Sequence, residues 1–286
     1  MKWTTGNREN IEDMRATSGG GAGLRMGGLG LGGLLLMLVL SWATGVDFLS
    51  LLGGGSIDSP ATTDVRPGGP PADTTAAEEK TVDMVDAVMG DAQATWQQIL
   101  GNRYEPTTAR LFRDSIPSAC GFAQSATGPF YCPADHKVYL DLGFFNELSS
   151  RFGAPGDFAR AYVIAHELGH HVQSLLGTES QVRRLQSARP DQQNALSVAL
   201  ELQADCYAGV WGYHAGRGTG RRVTLEPGDV ESGLRAAAAI GDDRIQRMAG
   251  RGVAPESFTH GSSEQRVTWL RRGLESGDVN ACNTFR

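Results

Sequence analysis

Between Arg25 and Asp47 the chain carries 21 consecutive uncharged residues, including the run Leu34-Leu35-Leu36-Met37-Leu38-Val39-Leu40. As a helix rising 1.5 Å per residue this stretch is about 31 Å long, the thickness of a bilayer's hydrocarbon core. A helix apolar on every face must be buried in lipid or in a large surrounding core. Gly-rich flanks offer no such core, so one transmembrane signal anchor is expected over residues 26–46. Lys2, Arg8, Arg15 and Arg25 precede the run, and only Arg66 follows within 20 residues. Basic residues are retained on the cytoplasmic side, which predicts a cytoplasmic N-terminal segment over 1–25 and a single pass through the cell membrane. A cleaved signal peptide fits less well, because 25 residues make a long n-region and no Ala-x-Ala follows closely.

Composition separates the remainder. Of 38 Gly in 286 residues, 14 fall before residue 56. Gly53-Gly54-Gly55, Pro60 and Pro67-Gly68-Gly69-Pro70-Pro71 mark 47–79 as a flexible linker. That leaves 80–286 as one globular domain facing the extracytoplasmic, periplasmic side. A formal charge of −6 gives no electrostatic reason to bind nucleic acid, which requires clustered Lys and Arg.

Cys120, Cys132, Cys206 and Cys282 form an even set without C-x-x-C spacing, so neither a zinc ribbon nor a thioredoxin-like pair is indicated. An extracytoplasmic location suits disulfides, and of three possible pairings Cys120–Cys132 with Cys206–Cys282 is preferred; four buried thiols are the alternative. Cys120 and Cys132 would staple a short hairpin.

Residues 157–176 place apolar side chains at 158, 161, 165, 168, 172 and 175, a helical stripe. Asp157 suits its N-cap and Gly177 its stop. His166 and His170 lie four apart on one helical face and can bind a single zinc ion together, while Glu167 can reach a water beside the metal without being a ligand. This is the HExxH pattern, in which zinc acidifies a water and the Glu accepts its proton. Gln173 and Leu176 exclude the extended three-histidine form, HExxHxxGxxH. A third ligand is available at Glu201 in Glu201-Leu-Gln-Ala-Asp205, within a second helix from about 191 to 214. Glu201 as ligand, with Asp205 hydrogen-bonded to a ligand histidine, gives a His₂Glu site with one open position. The carboxylates sit among Val198, Leu200, Leu202, Cys206 and Val210, where an unpartnered acid is costly. Small Ala204 and Ala208 allow close helix approach.

HELGHH followed by ELQAD resembles the gluzincin peptidases. The whole chain is similar to the membrane-anchored bacterial neutral zinc metallopeptidase family, YpfJ-type, through Met1-Lys-Trp, Cys-Gly…Gly-Pro-Phe-Tyr-Cys-Pro (120–133), Val-Tyr-Leu-Asp-Leu (138–142) and Thr-His-Gly-Ser-Ser-Glu-Gln-Arg (259–266). The resemblance implies His166, His170 and Glu201 as ligands and Glu167 as base. Gluzincins often place an oxyanion donor after the ligand helices, which makes His260 a candidate; the alternative is a structural histidine at the entry of a helix capped by Ser262 or Ser263. His171, about 100° round the helix from His170, is read as structural or at the cleft rim. His136 and His214 are assigned no role.

The alternating segment Lys137–Gly143 reads as a strand. By analogy with zincins, whose edge strand precedes the HExxH helix, it is the candidate for pairing with extended substrate. Gly216–Arg222 reads as a solvated Arg-rich loop or a partner site. The expected architecture is an α+β, zincin-like metallopeptidase domain, with a small sheet over roughly 110–142, preceded by one transmembrane helix and a linker. The expected activity is that of a membrane-anchored zinc metalloendopeptidase with one Zn²⁺ per chain and a polypeptide substrate. A catalytically weak zinc-binding scaffold at the membrane is the alternative, and the intact Glu167 argues against it, because a purely structural zinc has no use for a base.

Overall fold

The first residues of the chain are built into the sheet. In the computed structural model, which describes residues 1–16, 74–125, 128–217 and 221–285, β1 (Lys2–Trp3) pairs antiparallel with β8 (Val223–Thr224). Strand β2 (Ile11–Asp13) lies parallel to β3 (Thr108–Phe112), in register Ile11↔Ala109 and Asp13↔Leu111. The sheet continues through β7 (Lys137–Asp141), parallel to β3, to β6 (Phe130–Cys132), antiparallel to β7. Its order is β2-β3-β7-β6. A separate hairpin joins β4 (Ser115–Ser118) and β5 (Gly121–Gln124).

Two expectations change here. Residues 1–16 are not a segment apart from the domain but part of it, because their polar groups are matched by the following helix. Arg8 donates to Asp83 at 2.7 Å and Glu79 at 2.6 Å, and the Asn10 amide reaches Asp86 at 2.9 Å. Arg15, its side chain fully buried, donates to Asp13, Glu78 and Glu79 at 2.6, 2.9 and 2.8 Å. Likewise β7 is not an edge strand: it is flanked by β3 and β6, and its middle residues Val138, Tyr139 and Leu140 are all buried. The edge strand beside the helix that carries His166 and His170 is β6. The expected span 26–46, and the linker as far as residue 73, lie outside the described residues. Among the described residues no helix is long and apolar enough to cross a membrane.

The expected linker is shortened at its end, because α1 (Ala76–Leu100) begins at an N-cap formed by Thr75, whose hydroxyl accepts from the Glu78 amide at 3.1 Å. Then follow α2 (Gly143–Ser150), α3 (Asp157–Leu175), α4 (Thr178–Ala188), α5 (Gln193–His214), α6 (Asp229–Ala239), α7 (Asp242–Met248) and α8 (Ser263–Ser276). The result is a mixed α+β unit, as expected. Helix α3 starts one residue earlier than its sequence suggests: Gly156 is the N-cap, and the Asp157 carboxylate instead accepts from the Trp3 indole at 3.5 Å. Ser262 and Gln265 form a reciprocal capping box at α8. Arg221 and Arg222 are not a solvated loop, since they pair with Asp91 and Asp86 of α1 at 2.8 and 2.6 Å.

Both preferred disulfides are present. Cys120–Cys132 ties the β4–β5 turn to β6 rather than closing one hairpin, and Cys206–Cys282 ties α5 to the C-terminal turn. Helices α5 and α8 meet backbone to backbone: a Cβ on Gly209 would fall 2.2 Å from the Leu270 carbonyl oxygen, and one on Gly273 2.0 Å from that of Cys206. Neither backbone can yield without moving a whole helix. Gly273→Ala is therefore expected to cost about 3 kcal/mol, the upper end for overpacking, and to lower the thermal unfolding midpoint; an unchanged midpoint would mean the helices do not approach this closely.

Candidate metal centre

Helix α3 carries its apolar stripe inward, with Phe158, Ala161, Ala165, Leu168 and Val172 all buried. The stripe's register turns His166, Glu167 and His170 toward a cleft of about 520 Å³, which Glu201 of α5 also lines. The two helices close on each other at Gly169, where a Cβ would lie 3.0 Å from the Ala204 carbonyl oxygen. Leu168-Gly169 thus does steric work inside the motif: a larger residue at 169 would push Glu201 away from the histidines.

The ligand candidates meet. His166 Nε2 lies 3.2 Å from His170 Nε2 and 3.2 Å from Glu201 Oε2, and His170 Nε2 lies 3.4 Å from Glu201 Oε1. The chain fixes which nitrogen of each ring is free. His166 Nδ1 is 2.8 Å from Asp205 Oδ1, an acceptor only, so this nitrogen donates. His170 Nδ1 is 2.9 Å from Gln173 Oε1, and the Gln173 amide nitrogen in turn donates to the Leu200 carbonyl at 2.7 Å and Gln203 Oε1 at 3.1 Å. Gln173 is thereby oriented with its oxygen toward His170. Both Nδ1 positions being donors, two Nε2 lone pairs and a carboxylate converge on one point. That assembly of acceptors suits a divalent cation bound by nitrogen and oxygen, and His166, His170 and Glu201 are a group able to hold one.

Asp205 anchors this arrangement. It is fully buried and accepts from His166, from the Tyr162 hydroxyl at 2.6 Å, and from Arg266 twice, Nε to Oδ2 and Nη2 to Oδ1, both at 2.9 Å. Arg266 Nη2 also donates to the Tyr162 hydroxyl at 3.0 Å. Burial would push the Asp205 carboxyl up, but Arg266 and His166 hold it down at about 2. Burial likewise opposes a charge on His166, and the Asp205 and Glu201 carboxylates outweigh it, raising the imidazole to about 10 without a metal. Glu201, which burial would raise, is held well below the ordinary carboxylate value by the two histidines. A cation in place of those protons meets the same carboxylates.

His260 lines the same cleft. Its ring Nδ1 faces Asp242 Oδ1 at 3.3 Å, while Asp242 Oδ2 accepts the backbone N–H groups of Thr259, His260 and Gly261 at 2.8, 2.7 and 3.1 Å. Asp242 therefore fixes both loop and ring, and leaves Nε2 as the ring's other polar atom. His171, by contrast, is buried between the Glu105 carbonyl at 2.6 Å and the Tyr131 hydroxyl at 3.0 Å, a structural histidine. His136 contacts the same hydroxyl at 3.1 Å, and His214 donates to the Gly277 carbonyl at 3.1 Å. Sequence reasoning assigned no role to Arg266, Tyr162, Gln173 or Asp242. Only Gln173, three residues after His170, had a local signal.

The family model described as "Putative neutral zinc metallopeptidase" matches residues 1–285. The chain is 44% identical to the uncharacterized protein YpfJ of Escherichia coli (strain K12), over 100% of this chain and 99% of that protein. It is 43% identical to an uncharacterized protein of Mycobacterium tuberculosis, over 70% of this chain and 69% of the relative. No solved structure gives a significant match.

Two outcomes are expected. Glu201→Ala abolishes metal retention, whereas Asp205→Ala weakens it about 10–100-fold, as read by metal titration; the reverse order would make Asp205 the ligand. Second, burial works against a charge on His260, yet Asp242 and Glu201 raise its pKa above 6.5, and Asp242 is lowered from 3.8. The histidine's contribution to stability is complete below 6.5 and lost as pH rises through its raised value. That of the aspartate is complete above 3.8 and lost as pH falls through its lowered value. Asp242→Asn should bring the His260 midpoint down in an NMR titration; an unmoved midpoint would show that the pair is not formed.

Proposed function

The chain belongs to the neutral zinc metallopeptidase family, and on that premise we propose that it is a zinc-dependent endopeptidase with a zincin-like site. The observation that carries the reading is the convergence of His166 Nε2, His170 Nε2 and a Glu201 oxygen in a cleft that Glu167 also lines. One Zn²⁺ per chain would be held by His166, His170 and Glu201. Bound there, zinc supplies a Lewis acid that polarises the scissile carbonyl and acidifies a water.

The remaining chemistry belongs to the chain's own residues. Glu167, adjacent to a ligand but not one, accepts the proton of the attacking water and passes it to the leaving amine nitrogen, giving a carboxylate and an amine. His260, oriented by Asp242, donates to the oxygen on which negative charge develops, a role usually worth about 10²–10³ in rate. Asp205 and Gln173 hold the two ligand rings in the tautomer that presents Nε2. The polypeptide lies extended along β6, whose Phe130 and Tyr131 line the cleft, and its backbone pairing is independent of sequence. Phe144, Phe152, Val163 and Ile240, lining the same cleft, offer an apolar side chain a place to bury.

The test compares the full chain with Glu167→Gln on an unfolded protein substrate. The expected result is a loss of at least about 100-fold in cleavage with zinc content unchanged. Equal cleavage by both would refute the base, and no cleavage by a zinc-loaded wild type would favour a scaffold.

A further inference from the structure

The apolar run 26–46 and the ends that flank it make incompatible demands if the run crosses a membrane. One crossing places the residues before it and after it on opposite sides of the bilayer, about 30 Å of hydrocarbon apart. Yet the two flanks are bonded to each other. Arg8 is paired with Asp83 at 2.7 Å, and Arg15 with Glu78 and Glu79 at 2.9 and 2.8 Å. Strand β2 lies in parallel register on β3, with Asn10 bound to Asp86 of α1 at 2.9 Å. These are interior contacts: the Arg15 side chain is fully buried among three carboxylates. Exchange of the arm between two copies of the chain would not remove the conflict, since the arm would still have to be on the side of the domain it enters.

Two crossings would restore both flanks to one side, but a second crossing needs about 20 predominantly apolar residues. After Asp47 the longest uncharged stretch before the described residues resume is ten residues, 48–57. No second span is available. Three of the four basic residues that suggested an inward N-terminus have other employment: Arg8 and Arg15 neutralise α1, and Lys2 pairs with Glu226 at 3.0 Å.

We propose that the chain meets a lipid bilayer from one side only: Met1–Ala16 and the His166–His170–Glu201 centre lie on the same side, and the run 26–46 attaches to the membrane without carrying the chain through it. The proposal concerns attachment and stands whether or not the centre is a peptidase site.

The experiment places single cysteines in the full chain at Glu9 and, separately, at Glu275, both exposed; among the described residues no other thiol is free. Spheroplasts are treated with a membrane-impermeant maleimide before and after permeabilisation. Both variants should be labelled in the same preparation. Labelling of one in intact spheroplasts and of the other only after permeabilisation would overturn the proposal. In parallel, the purified full chain should float with vesicles of bacterial phospholipid, and deletion of 26–46 should abolish flotation. A full chain that stays at the bottom of the gradient would also overturn it, whatever the fate of the deletion.

Discussion

The candidate metal centre depends on one buried ion pair, Asp205 with Arg266. Asp205 sits on α5, Arg266 on α8 and His166 on α3, so a single carboxylate joins three helices. A buried ion pair is weak evidence for stability in itself, since desolvation of the two charges offsets their attraction. Its effect here is positional. Asp205 Oδ1 accepts from His166, Tyr162 and Arg266 together, and so fixes the ring plane and tautomer of His166. The Gly209–Gly273 contact makes this possible: with no side chains between them the helices come close enough for Arg266, seven residues before Gly273 and on the same face, to reach Asp205 with both nitrogens.

The charge balance explains why an arginine stands there. Glu167, Glu201 and Asp205 would put three carboxylates around two imidazoles. Arg266 cancels Asp205, which would leave Glu167 and Glu201 to balance a divalent cation held there. His170 is oriented instead by the neutral amide of Gln173, so its support adds no further charge. The two candidate ligand histidines thus have one charged and one neutral anchor, and a divalent cation held there would leave the centre near neutrality.

The local chemistry was legible because it is helical and periodic. The i,i+4 pairs His166/His170 and Glu201/Asp205 lie on single faces, and an acidic pair in an apolar helix requires a partner. What escaped was contributed from far along the chain. Arg266 lies 61 residues from Asp205 and Asp242 lies 18 from His260, with no spacing rule to connect them. The packing of segment 1–16 into the domain escaped for a physical reason: Lys and Arg before an apolar run read as a topology signal, while acids that pair with Arg8 and Arg15, namely Glu78, Glu79 and Asp83, lie beyond that run. Strand β7 is internal because β3 and β6 flank it, an order its own alternation does not disclose, and the arm's β2 completes the sheet beyond β3.

That arm also bears on which sheet edge a polypeptide would use. The sheet has two, β2 and β6. Strand β2 is three residues long and carries Glu12 and Asp13, whose carboxylates are engaged by Arg110 at 2.5 Å and Arg15 at 2.6 Å. A short, charged edge resists further pairing. Strand β6 reads Phe130-Tyr131-Cys132, bears no charge, is braced by Cys120–Cys132 and borders the cleft. An incoming extended backbone would therefore meet one edge blunted by charge and one without charge, and the second is the edge beside His166, Glu167 and His170.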